Sequence, residues 1–264
     1  MRIGAAQIDV APGSPRANLE KVARYAGQAS EIGCDLVVFP ELVDTGYVMA
    51  TAAETASDWR APDSFVTGLR DLAKSSRIEI VCGVAERTND GLYDSVVAVD
   101  AEGKIRGRYR KAHLFSVAKE NEVFLPGNEL VTLPIGELDA ALFVCYDLRF
   151  PIPFRRVSLA GSSAFFIASA FPFPRLSHWE VLTRARAVEN QAFVVAANRV
   201  GTDGGLTFCG ASCIIDPFGQ TKAAADEVSE ELIYADLDPH RVAAIREGIP
   251  VLTEDRSDLL ELPR

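Results

Sequence analysis

The sequence predicts an α/β fold. Short apolar runs rich in β-branched residues alternate with longer stretches of helical spacing. Several runs are also joined directly by turn sequences, so helix-linked strands and hairpins occur together. The chain opens as strand, helix, strand. Arg2 to Gln7 is a first apolar run, and Asn18 to Ile32 places Leu19, Val22, Tyr25, Ala26 and Ala29 on one helical face. Gly33 supplies the helix stop. Asp35 to Phe39 is a β-branched run that Pro40 ends.

Pro62 to Ser75 reads as a second helix. Arg77 to Val84, Leu92 to Val99 and Lys104 to Tyr109 read as strands, with Asn89-Asp90-Gly91 and Glu102-Gly103 as the hairpin turns. Leu138 to Val144 is a buried strand, Pro151 to Leu159 a helix, Ala164 to Ala168 a strand and Leu176 to Asn190 a helix. Gln191 to Asn198, Cys209 to Ile215 and Glu231 to Asp236 complete the strands, and Pro239 to Glu247 is a short last helix. No Pro/Ser linker, charge block or fixed-period repeat divides the 264 residues, so we expect one domain over 1–264. The tail from Gly248 to Arg264 lacks periodicity and is expected to be a docked arm.

Composition narrows the function. The chain is 48% hydrophobic and 24% charged, as for a soluble globular protein. A net charge of −10 disfavours nucleic acid and anionic membranes as partners. The most basic stretch, Arg106 to Lys111, is what a strand edge or solvated face would also show. Cys34, Cys82, Cys145, Cys209 and Cys213 are odd in number and irregular in spacing, which suggests free thiols in a reducing compartment. Cys209 and Cys213 lack a second pair, so zinc is not expected. No apolar run reaches membrane-spanning length, and the N-terminus lacks a signal-peptide core, so a cytoplasmic protein is expected.

Three strand ends carry candidate chemistry. Cys145 closes the run Ala140 to Val144 and precedes a helix start, where backbone N–H groups stabilise a thiolate or an oxyanion. A buried structural cysteine would look the same. Glu41 ends Leu36 to Pro40, at a strand edge where α/β sheets place ligands, and a desolvated carboxylate can act as a base. Lys111 follows another strand and can hold an oxyanion. Taken alone, the ordinary reading is the favoured one: a structural cysteine for Cys145, a solvated loop glutamate for Glu41 and a surface lysine for Lys111. His113 is a possible partner for Cys145 in the manner of thiol proteases, but their local signatures are absent, and a polar structural role fits it better.

Taken in order, the motifs resemble the nitrilase, or carbon–nitrogen hydrolase, superfamily. They are Phe39-Pro40-Glu41-Leu42 with Thr45-Gly46-Tyr47, then Tyr109 to Phe115, Val144-Cys145-Tyr146-Asp147-Leu148-Arg149-Phe150-Pro151, His178-Trp179-Glu180, Arg184 to Gln191, Asn198-Arg199-Val200-Gly201 and Asp216-Pro217-Phe218-Gly219. The resemblance spans about Met1 to beyond Asp236. It implies a four-layer α-β-β-α sandwich and a catalytic set of Glu41, Lys111 and Cys145. It also implies a second glutamate, Glu120, with Glu122 as a near alternative.

The implied reaction is attack of Cys145 on an amide carbon with Glu41 as base. Lys111 and the Tyr146 N–H hold the oxyanion, and a thioester forms that water cleaves. The products are a carboxylate and ammonia, and neither metal nor organic cofactor is implied. Tyr146, Tyr47, Phe171 and Arg175 are the candidate oxyanion and substrate-binding residues, with Arg175 suited to grip a carboxylate. Cys145 to Pro151 looks like the omega-amidase and deaminated-glutathione-amidase groups, whose substrates are small amides. N-carbamoyl amino acids, simple aliphatic amides and nitriles remain alternatives, although nitrile hydrolases usually carry tryptophan where this chain has Tyr146. A homodimer or larger assembly is expected, through about Arg149 to Leu159 and the C-terminal arm. Outside amidase chemistry stand a non-catalytic binding protein on the same fold and a thiol redox protein built on Cys145.

Overall fold

The computed structural model describes residues 1–256 and residue 259. The chain opens with β1 (Arg2–Gln7), α1 (Pro15–Glu31) and β2 (Leu36–Val38), followed by α2 (Met49–Thr55) and α3 (Phe65–Ser76). Three strands run on: β3 (Glu79–Arg87), β4 (Leu92–Val99) and β5 (Ile105–Arg110). After a long loop come β6 (Thr132–Ile135), β7 (Leu138–Val144), α4 (Pro151–Leu159), β8 (Ala164–Ser169), α5 (Leu176–Asn190) and β9 (Phe193–Asn198). The remainder is a small hairpin, β10 (Thr202–Asp203) and β11 (Leu206–Thr207), then β12 (Cys213–Ile215), β13 (Thr221–Ala224), β14 (Glu231–Asp236) and α6 (Pro239–Gly248).

Two six-stranded sheets form, in the orders β14-β1-β2-β3-β4-β5 and β13-β12-β9-β8-β7-β6. In each sheet the inner strands are parallel (β1-β2-β3 and β7-β8-β9) and the outer ones antiparallel. The period-2 alternation of side chains explains the layering. In the first sheet, Ile3, Ala5, Leu36, Val38, Val81, Val96, Ala98 and Tyr109 meet the second sheet. Their neighbours Ala6, Val37, Ile80, Cys82, Val97 and Val99 pack under α1 and α3. On the far side, Phe154 and Val157 of α4 and Trp179 and Ala187 of α5 cover the second sheet. The result is the expected helix–sheet–sheet–helix sandwich, buried on both faces of each sheet as parallel strands require.

Some boundaries differ from expectation. Helix α1 begins at Pro15, because a proline at the first turn needs no N–H and already has helical φ. The run Cys209 to Ile215 is a strand only from Cys213. Gly210 and Ala211 have φ of 52° and 54°, which a strand cannot hold, while Ser212 turns to Gln7 and Asn198. The short α2, β6, β13 and the β10-β11 hairpin were not foreseen.

At the C-terminal end, Gln191 Nε2 donates to the Ile249 carbonyl at 2.6 Å and Arg155 pairs with Asp255 at 3.3 Å. The rest of the tail, 257–258 and 260–264, lies outside the described residues. Among the described residues, no helix is long and apolar enough to cross a membrane.

Candidate active site

The sandwich brings the ends of β2, β5 and β7 together between the sheets. Glu41, Lys111 and Cys145 all sit there, and all are buried. Lys111 Nζ donates to Glu41 Oε1 at 2.5 Å, to Glu120 Oε1 at 2.7 Å and to Asp94 Oδ2 at 3.2 Å. The remaining oxygens of the two glutamates are also engaged. Ala170 N donates to Glu41 Oε2 at 2.7 Å, and Phe115 N donates to Glu120 Oε2 at 2.7 Å. Tyr47 OH donates to Glu120 Oε1.

Glu122 lies two residues from Glu120 but points to solvent, beside Lys119. Carboxylate oxygens of Glu41, Asp94 and Glu120 lie within 4.8 Å of one another, a spacing that would suit a metal. Here each of the three carboxylates already accepts from the Lys111 ammonium through one oxygen.

Cys145 heads a 3-10 turn, Cys145–Arg149, with φ of 38°, an uncommon conformation for a residue with a Cβ. Asp147, fully buried, braces this turn. Its Oδ2 accepts from Val144 N at 3.1 Å and from Tyr109 OH at 2.8 Å. Its Oδ1 accepts from His113 N at 3.0 Å and contacts His113 Nδ1 at 2.7 Å. Thus His113 serves Asp147 and stacks on Phe150, with centroids 3.7 Å apart, rather than pairing with Cys145. Asp147 ties the Lys111 segment to the cysteine turn.

Two glycines set the backbone spacing. A Cβ on Gly83 of β3 would lie 2.5 Å from the Glu41 Cα and from the Pro40 carbonyl oxygen. A Cβ on Gly127 would lie 2.1 Å from the Arg110 carbonyl oxygen, and Gly127 N donates to the Lys111 carbonyl at 2.8 Å.

The electrostatics follow from burial and charge. Burial works against the Lys111 ammonium, but Glu120, Glu41 and Asp94 outweigh it and hold its pKa well above the usual lysine value. Burial, then Glu41, pushes the Cys145 thiol well above its usual range, with Lys111 opposing. The resting residue is therefore a thiol, and it needs a base as it attacks. Burial and Glu120 raise Tyr47, which stays a phenol that donates.

Cys145 opens on a chamber of about 10 Å³, room for about one water. Tyr47, Phe115, Tyr146, Arg149, Phe171 and Arg175 line it. Tyr47, Phe115 and Arg175 also border an outer cavity of about 330 Å³ that includes Lys119. The Arg175 guanidinium lies 5.5 Å from the Phe115 ring centre, at the boundary of the two spaces. Larger hollows of about 670 and 700 Å³ lie elsewhere, one along α5 and one among surface arginines. Neither is lined by Cys145.

Sequence reasoning missed Asp94 and Asp147 as members of this cluster. Asp94 lies beside Ser95 in β4, and nothing in that strand's own sequence marks it as a partner of Lys111.

Residues 2–247 match the family model described as carbon-nitrogen hydrolase. The chain is 37% identical over 259 residues to the 2-oxoglutaramate amidase of Bacillus subtilis, covering 97% of this chain and 98% of that protein. It is 35% identical over 219 residues to the omega-amidase YafV of Escherichia coli, covering 83% of each. Among solved structures, an amidase from Nesterenkonia sp. AN1 superposes with a TM-score of 0.88 at 28% identity, covering 98% of this chain and 95% of that one. That structure shows the acetamide moiety of fluoroacetamide added covalently at the active-site cysteine.

Proposed function

The chain belongs to the carbon–nitrogen hydrolase family and is a cysteine-dependent amidase, and from that premise we propose that Cys145 is its nucleophile and Glu41 its base. The observation that carries this is the buried thiol at a turn of positive φ beside a Glu41–Lys111–Glu120 cluster. Glu41 takes the thiol proton as the sulfur bonds to the amide carbon. Lys111 and the Tyr146 backbone N–H stabilise the oxyanion, a contribution of about 3–4 kcal/mol for one such donor. Glu41 returns the proton to the departing ammonia, leaving a thioester. It then takes a proton from the water that attacks the thioester carbon and returns it to the departing Cys145 sulfur, so the acid is released and the thiol restored. Glu120 and Tyr47 hold the Lys111 ammonium in place.

The substrate we propose is the terminal amide of a small acid, as in an omega-amidase. The activities for which the Bacillus and Escherichia relatives are named support this, as does Arg175 where the inner chamber meets the outer cavity. Phe171 and Tyr146 flank the reacting end. Aliphatic amides are a second reading, favoured by the small inner chamber and by the acetamide adduct of the Nesterenkonia amidase. We further propose a cytoplasmic homodimer formed through α4 and the C-terminal segment. The exposure of Ile152 and Leu159 on α4 supports that surface.

Ammonia release tests the reading, with 2-oxoglutaramate, deaminated glutathione, glutaramate, an aliphatic amide, an N-carbamoyl amino acid and a nitrile as substrates. The expected result is release from the acidic amides that Cys145→Ala abolishes. Turnover retained by Cys145→Ala would remove the nucleophile assignment. Faster turnover of aliphatic amides, unaffected by Arg175→Ala, would replace the acidic-amide reading.

A further inference from the structure

Three carboxylates surround one ammonium at this site, a surplus of two negative charges on side chains with no surface exposed to bulk solvent. Carboxylates this close and this dry do not all ionise, so the cluster retains a proton. The hydrogen bonds say where. Both Glu41 oxygens receive donors, from Lys111 and Ala170 N. Both Glu120 oxygens do too, from Lys111, Tyr47 and Phe115 N. Asp94 receives Lys111 on Oδ2, while its buried Oδ1 has no partner. A bare carboxylate oxygen there would be an unsatisfied buried charge, whereas a protonated one becomes a donor for the neighbouring Glu41.

We propose that Asp94 is a positioning residue that carries one proton on Oδ1 throughout the reaction, anchoring Lys111 through Oδ2 and leaving Glu41 as the ionised base. This rests on the reading of Glu41 as base and Cys145 as nucleophile. The groups facing Asp94 are Glu41 after β2, Lys111 after β5 and Glu120 in the following loop, with Cys145 after β7 beyond them. Burial, then Glu41 and Glu120, pushes the Asp94 carboxyl well above its usual range against the pull of Lys111, in agreement with the geometry. No proton leaves Asp94 in the cycle. The thiol proton passes to Glu41 and then to ammonia, and the negative charge passes from Glu41 to the amide oxygen. Ionisation of Asp94 at alkaline pH adds a charge beside that oxyanion and ends turnover.

Infrared difference spectra of the parent and Asp94→Asn at neutral pH read this directly, independently of activity. The expected result is one protonated-carboxyl band present in the parent and lost in the variant; an unchanged band overturns the proposal. With carboxyl-labelled aspartate the parent alone suffices. A protonated aspartate band should survive above the titration of Asp44, which burial raises to about 7, and no such band overturns the proposal.

Kinetically, Asp94→Asn, which mimics the protonated acid, should lose about tenfold or less in kcat, with the alkaline limb of kcat/KM moved upward. Asp94→Ala should lose about a hundredfold. Equal losses, or an unmoved limb, overturn the proposal. If Cys145→Ala stayed active, the catalytic reading would fail while the infrared result still decided the protonation of Asp94.

Discussion

Lys111 and Arg110 are adjacent in sequence and face opposite sides of the first sheet, each in a charged cluster. On the inner side one ammonium meets Glu41, Asp94 and Glu120, all buried. On the outer side the ratio is inverted. Arg110 and Arg108 share the single carboxylate of Glu86, at 2.7 and 2.6 Å. Glu86 is buried, but the Arg108 side chain is 44% exposed, so water screens the surplus cation. The difference teaches which cluster serves the fold. An outer surplus of guanidinium at partly exposed positions costs little. An inner surplus of carboxylate is costly, and a fold has no use for it unless chemistry does.

Removing the inner cation is the hardest blow to this contrast. Lys111→Met should abolish ammonia release and lower stability by about 3–5 kcal/mol, because three buried carboxylates lose the ammonium they share. The sign with pH follows from the raised carboxyl of Asp94. Without the lysine the folded state binds more protons than the unfolded state, so stability falls as pH rises. Denaturant melts at acid and neutral pH should show the variant recovering at acid pH; a deficit that did not shrink there would undo the account.

Glu120→Gln weakens one arm of the inner cluster and should lower kcat about a hundredfold with little change in KM. Its neighbour sharpens the point, since Glu122→Gln should leave the rate unchanged. Equal effects in an ammonia assay would show that burial does not distinguish them. On the outer side, Glu86→Gln should cost about 1–2 kcal/mol by thermal melts, with kcat unaltered. Arg108→Ala should cost less than about 0.5 kcal/mol. A large loss of activity in either would mean that the two faces are not independent.

Glu41 and Cys145 were legible because each ends an apolar run, and run ends are where strands hand side chains to a cavity, whereas Lys111 ends the basic stretch Arg106 to Lys111 and stood out only through the ordered motifs. Leu92–Val99, Leu138–Val144 and Leu176–Asn190 were legible for the related reason that hydrophobic period reports burial. Asp94 was not, because an aspartate in a strand ordinarily marks a solvent face, and only the pairing of β4 with β5 turns it toward Lys111. Asp147 was hidden likewise, since its partners Tyr109 and His113 lie far away in the chain. The short strands β6 and β13 sit at a sheet edge and owe their shape to one neighbour. Little in their own residues marks them.

Gly83 and Gly127 bear on how this protein can vary. Neither offers a side chain to any reaction, yet each leaves no room for a methyl group beside the backbone that carries Glu41 or Lys111. One nucleotide change turns a glycine codon into an alanine codon. A lineage drifting at these two codons would therefore move its base or its lysine without touching either, and would lose the enzyme through residues that no inventory of reactive groups would include.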